Sequence, residues 1–126
     1  MATKVFVSFD YDNDAQLKDL LIGQSRNSDS PFEVEDWSVK TASPTWRAEA
    51  RSRISRSNQV IVLCGKSMRS ATGVIVEMEL ARELGTPYFL LAGYTTGSSK
   101  PVSALSTDKL YTWSWENLKK LIAGQR

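Results

Sequence analysis

The sequence predicts an α/β fold of three layers, in which a five-stranded parallel sheet lies between two layers of helices. Three observations carry this expectation. β-rich runs alternate with helical periodicities along the chain, the pattern of successive βαβ crossovers. Two of those runs, "QVIVLC" (59–64) and "YFLLAG" (88–93), are almost wholly apolar, as strands buried on both faces are. The chain of 126 residues has room for one hydrophobic core and not for two, so a single domain spanning 1–126 is expected.

The elements follow in order. "KVFVSF" (4–9) reads as the first strand, ended by the turn-forming cluster "DYDND". From Asn13 to about Gln24, helical spacing links Leu17, Leu20, Leu21 and Gln24, and "SRNSDSP" stops that helix. "FEVEDW" (32–37) alternates as a half-buried strand does. Ser43 and Pro44 read as the N-cap and first residue of a helix whose apolar face is Trp46, Ala50 and Ile54. After strand 59–64, "TGVIVEMELARELG" (72–85) is a helix that closes at Gly85, with Pro87 beyond it. "YFLLAG" and the long loop "TTGSSKPVSALST" lead to a short last strand, "KLYTW" (109–113). Ser114 then caps a final helix bearing Leu118, Leu121 and Ile122. For a chain this short the expected strand order is the flavodoxin-like 2-1-3-4-5. Such sheets bind ligands beyond the carboxyl ends of their strands, where strands 1 and 3 part. Phe9, Asp10 and Tyr11 are expected on one side of that crevice, and Cys64, Gly65 and Ser67 on the other.

Composition narrows the chemistry. The chain is 41% hydrophobic and 24% charged, as ordinary soluble domains are. No apolar run approaches the roughly 20 residues that span a bilayer, and the N-terminus passes almost directly into a strand, with no signal peptide expected. These readings predict a cytoplasmic protein without a membrane partner. The single cysteine, Cys64, excludes an internal disulfide and a cysteine-rich metal site. The absence of histidine removes the usual general base near neutral pH, and with it Ser-His-Asp and Cys-His catalysis and most zinc sites. Acid-base or charge-stabilising chemistry must then rest on carboxylates, lysine, tyrosine or backbone. A net charge of +2 gives no argument for nucleic acid. Arg47, Arg51, Arg53 and Arg56 read as a solvated helix face without the interleaved aromatics of a single-strand binder, so no nucleic-acid partner is expected.

Several familiar patterns fail on inspection. "GKS" (65–67) lacks the earlier glycine of a phosphate-binding loop, its place being taken by Val60. "DYDNDAQLKDLL" begins as a calcium loop does, but Ala15 stands at its turn glycine and Leu21 at its bidentate glutamate. No aspartate ends strand 59–64, as a phosphoacceptor domain requires, and no G-x-G-x-x-G dinucleotide fingerprint is present.

One residue breaks the apolar pattern of the helix at 72–85. At about 100° per residue, Val74, Met78, Leu80, Ala81 and Leu84 gather into an apolar stripe, and Glu77 projects into its middle. Glu79, Arg82 and Glu83 fall on the opposite face. A carboxylate among core-facing side chains is expensive to keep ionised, so burial should raise its pKa. It reads either as an edge residue paired with a nearby arginine or as a functional carboxylate in an apolar cleft.

Taken together, "VFVSFDYDND", "FEVEDWS", "ISRSNQVIVL" and "VEMELARELGTP" resemble a Toll/interleukin-receptor (TIR) domain. The likeness is greatest to compact prokaryotic TIR-like proteins, including the signal-producing component of the Thoeris antiphage system, and it runs through to "LYTWSWENLKKL". It implies a five-stranded flavodoxin-like fold and cleavage of NAD at its nicotinamide–ribose bond, with NAD as substrate and no cofactor. The family's E-x-x-x-A-x-x-x-G spacing falls on Glu77, Ala81 and Gly85, which implies that Glu77 is catalytic. By the same resemblance Phe9, Asp10 and Tyr11 position the dinucleotide and Asp36, Trp37 and Ser38 close over it; Ser67, on the far side of the crevice, is expected to contact substrate as well. The product expected is a cyclic ADP-ribose-type nucleotide read by a separate effector protein, from a chain able to form a homo-oligomer. The chain departs from the family twice. Gly73 stands where many TIR hydrolases carry tryptophan, and "WSVKTASPTW" replaces the usual Pro-Gly turn after strand 2. A non-catalytic TIR scaffold and a nucleotide-sensing module stay open beside the enzyme.

Overall fold

The computed structural model describes residues 3–38 and 44–126. Its elements are β1 (Thr3–Ser8), α1 (Ala15–Ser25), β2 (Phe32–Trp37), α2 (Trp46–Ser55), β3 (Gln59–Cys64), α3 (Thr72–Leu84), β4 (Tyr88–Ala92), β5 (Leu110–Thr112) and α4 (Trp115–Ile122), with a 3₁₀ turn at Met68–Ser70. The strands form one sheet in the expected order β2-β1-β3-β4-β5, every neighbouring pair parallel.

Strand alternation decides what each layer covers. Val5, Val7, Ile61, Leu63, Phe89 and Leu91 point to one face, where they pack with Leu17 and Leu21 of α1 and Leu118, Leu121 and Ile122 of α4. Phe6, Val60, Val62, Cys64 and Leu90 point to the other, against Ala50 and Ile54 of α2 and Val74, Met78, Leu80 and Ala81 of α3. Ser8, two residues after Phe6, shares the α2/α3 side and is fully buried.

The pairing of β1 with β2 contains a register shift. Val5 lies opposite Val34, but Phe6 lies opposite Asp36, so β2 passes over position 35. A slip of one residue reverses which face each later side chain takes. Beyond the bulge Asp36 and Ser38 join the α2/α3 side, and Trp37 turns toward α1, where Lys18 Nζ lies 5.4 Å from its ring centroid.

Helix ends follow their sequence signals. Gly85 closes α3 in the left-handed region at φ 70°, and Thr86 N–H donates to Ala81 O at 2.9 Å, the Schellman arrangement. Ser114 Oγ accepts from Asn117 N–H at 3.1 Å and caps α4. Ser114→Ala should remove about 1 kcal/mol of stability, seen in a thermal melt as a midpoint lower by several degrees.

Two expectations need adjustment. Leu20 is 62% exposed, because Leu17 and Leu21 one turn apart already fill the space beneath α1. Pro44 sits in a turn, and α2 starts at Trp46 with Thr45 at its N-cap position. The expected cap Ser43 lies outside the described residues. Among the described residues no helix is long and apolar enough to cross a membrane.

Candidate active site

Glu77 occupies the second turn of α3 and faces the sheet at 1% exposure. Its Oε1 accepts two hydroxyl bonds, from Ser8 Oγ at 2.7 Å and from Ser38 Oγ at 2.5 Å. Ser8 ends β1 and Ser38 directly follows β2, so the helical carboxylate is met by the carboxyl ends of two neighbouring strands. Ser38 Oγ also accepts from Phe9 N–H at 3.1 Å, which ties the first residue after β1 into the same cluster.

Beside this cluster lies a cleft with a volume of about 140 Å³, lined by Glu77, Ser38, Phe9, Asp10, Tyr11 and Asp12, and by residues 70–74. Phe9 and Tyr11 stack, ring centroids 5.8 Å apart at 25°. Phe9 is buried and Tyr11 is 47% exposed, so an aromatic surface runs from the interior to the mouth. Asp10 shapes the loop by accepting from Asp12 N–H at 3.2 Å and from Asn13 Nδ2 at 2.7 Å.

Burial pushes the Glu77 carboxyl up to about 7, against the pull of the Ser38 and Ser8 hydroxyls and the Arg53 charge, which favour the anion. A carboxyl in that range exchanges its proton near neutrality. It can face a developing cation as an anion or take a proton from a nucleophile.

The structure gathers Phe9, Asp10, Tyr11 and Ser38 with Glu77 and sets the other expected contacts apart. Asp36 turns toward α2 and pairs with Arg53 at 3.1 Å and Arg56 at 3.7 Å. Trp37 stands on the opposite side of the sheet, under Lys18. Ser67 begins the 3₁₀ turn, its carbonyl accepting from Ser70 N–H at 3.1 Å, and does not line the cleft. Nor do Cys64 and Gly65: the Cys64 thiol is buried and pushed up to about 12 chiefly by that burial, which keeps it neutral, and Gly65 packs against Asp14. The second wall comes instead from the 3₁₀ turn and the first turn of α3. Sequence reasoning missed Ser8, whose signal is its parity with Phe6 in "VFVSF", a hydroxyl at an inward-facing position.

The four arginines of α2 and its C-cap are all ion-paired. Arg51 and Arg47 reach Glu83 at 2.7 and 3.7 Å, and Arg53 and Arg56 share Asp36. Among the described residues no group of three or more Asp, Glu, Cys or His side chains is arranged to hold a metal.

A family model described as Thoeris protein ThsB, TIR-like domain, matches residues 6–92. That span runs from within β1 to the end of β4 and contains Ser8, Ser38 and Glu77. No curated protein matches the chain.

Proposed function

The chain belongs to the family of Thoeris ThsB TIR-like domains, and from that premise we propose that it cleaves NAD at the nicotinamide–ribose bond, with Glu77 as the catalytic carboxylate. The single observation that carries this reading is the carboxyl of Glu77, nine-tenths or more buried, held by two hydroxyls at the wall of a cleft where the strands end.

The chemistry suits a carboxylate and nothing stronger. Nicotinamide leaves with the electron pair of the C–N bond and departs neutral, while C1′ of the ribose becomes an oxocarbenium-like centre. An anion fixed beside that centre is favoured more in the transition state than before it. If an internal adenosine oxygen then captures C1′ and loses its proton, the product is a cyclic ADP-ribose isomer. Capture by water gives ADP-ribose. Phe9 and Tyr11 offer a flat apolar surface to a ring of the substrate. The cleft is smaller than the roughly 300–1,000 Å³ of a site that encloses a whole ligand. It therefore receives one end of the dinucleotide, with the remainder lying across the surface.

In antiphage immunity the nucleotide would act on a separate effector protein. The protein would work as a cytoplasmic domain that needs neither nucleic acid nor membrane, alone or as a homo-oligomer. The test is incubation with NAD, with and without extract of phage-infected cells, followed by chromatography for nicotinamide and mass spectrometry of the ADP-ribosyl product. Release of nicotinamide with a cyclic product is expected. Folded protein that releases none under either condition would leave the scaffold or sensor reading in its place.

A further inference from the structure

We propose that Ser8 and Ser38 are positioning residues that form a two-hydroxyl clamp on Oε1 of Glu77, orienting the carboxylate and favouring its charged form. For its catalytic consequence this rests on the role of Glu77 given above; the clamp itself does not.

The geometry carries the inference in three steps. Both hydroxyls converge on one oxygen, at 2.7 and 2.5 Å, so rotation of the carboxyl is opposed from two strands at once. The Ser38 proton has a determined direction. Its oxygen accepts from Phe9 N–H at 3.1 Å, and the alternative acceptor, Val7 O, lies at 3.4 Å against 2.5 Å for Glu77. All three side chains are buried, Ser8 at 0%, Ser38 at 3% and Glu77 at 1%, so water does not replace a lost hydroxyl at low cost. Two hydroxyls given to an anion form charge-assisted bonds, stronger than the same bonds to the neutral acid.

Among the described residues the other charges around the carboxylate are few. Arg53 approaches from α2, but Asp36 at the end of β2 already pairs with it. Asp10 and Asp12 line the same cleft from the loop after β1. On β3 only Cys64 ionises, far above the working range, and Arg69 of the 3₁₀ turn is exposed to solvent. Among the described residues the clamp is thus the main local device that opposes the effect of burial.

The test uses protein labelled with ¹³C at the glutamate carboxyls, the Glu77 resonance being assigned by its loss in Glu77→Gln. Its titration midpoint should lie near 7 in the parent. In Ser8→Ala and in Ser38→Ala it should rise by about one pH unit each, and further in the double variant. Nicotinamide release should follow the same shift. Each single variant should lose about tenfold at pH 6 and approach the parent at pH 9, because the ionised fraction, not the fold, is what changed. A merely structural role would lower activity equally at every pH and leave the midpoint in place, and midpoints unmoved in whichever variants fold would overturn the clamp. If midpoints move while even the parent releases no nicotinamide, the clamp stands and the NAD-cleaving reading falls. If release depends on Glu77 while midpoints stay fixed, the reverse holds.

Discussion

Glu77→Gln should lower product formation at least about a hundredfold while leaving the fold intact. Glutamine keeps the size of the side chain and an oxygen that still accepts from Ser8 and Ser38, but it carries no charge to set against a ribosyl cation. Loss of one transition-state electrostatic contact is worth about 10²–10³ in rate. Glu79→Gln and Glu83→Gln, exposed on the same helix, should change activity little. Stability should move the other way. The folded-state pKa of Glu77 is raised from 4.5 to about 7, so its contribution is fully present below about 4.5 and is lost as pH rises through about 7. Glutamine removes that penalty. The melting temperature of Glu77→Gln should therefore exceed the parent's by more at pH 8 than at pH 5. By the same titration, parent activity should rise with pH through about 7. Melting curves and product yields for all three variants, per folded molecule, decide the matter. A Glu77→Gln protein that melts early yet retains parental activity would make Glu77 a structural residue.

Gly65→Ala should be the most destabilising single-methyl change at the carboxyl edge of the sheet. A Cβ at position 65 would fall 2.0 Å from Asp14 Oδ2 and 2.5 Å from its Cγ. Asp14 has little room to withdraw. It is 2% exposed at the N-cap position of α1, and its Oδ1 meets the Tyr94 hydroxyl at 3.5 Å. Its Oδ2 has no hydrogen-bond partner among the described residues, and burial together with the charge of Asp10 holds its carboxyl above the usual range. Overpacking of this kind costs about 1–3 kcal/mol. Denaturant titration should show the midpoint falling at constant slope, and Gly65→Ala in an Asp14→Ala background should cost much less, since the clash is with that side chain. A Gly65→Ala protein as stable as its parent would show that the start of α1 yields freely.

Much of this was legible in the sequence, for reasons that differ by residue. β2, β3 and α3 end where the sequence places their ends, because turn formers, uniform apolarity and a glycine at the left-handed position are local signals. Glu77 stood out because a helical period is strict enough for a single carboxylate to violate it. The contacts after β2 were not legible in the same way. Of Asp36, Trp37 and Ser38, which the family resemblance groups, Trp37 faces the α1 side, Asp36 shares the face of Ser38 but is held by Arg53 and Arg56, and only Ser38 reaches the cleft. Ser8 is marked only by its parity with Phe6, a weak signal until the carboxylate it meets on α3 is known. The 3₁₀ turn at Met68–Ser70 is too short to show a period.

The register shift opposite position 35 makes the site depend on counting as well as on composition. Upstream of it Val34 packs with the α1/α4 layer; downstream, Ser38 reaches Glu77 because one extra residue has inverted the phase of the strand. Every side chain of the cluster could be retained and the cluster still lost, if one residue inserted ahead of Asp36, with the bulge kept, shifted the later positions and brought Trp37 round in place of Ser38. Substitutions tune such a site gradually. A change of length in this strand acts as a frameshift in three dimensions, and the spacing from Val34 to Ser38 is therefore as much a part of the site as the residues themselves.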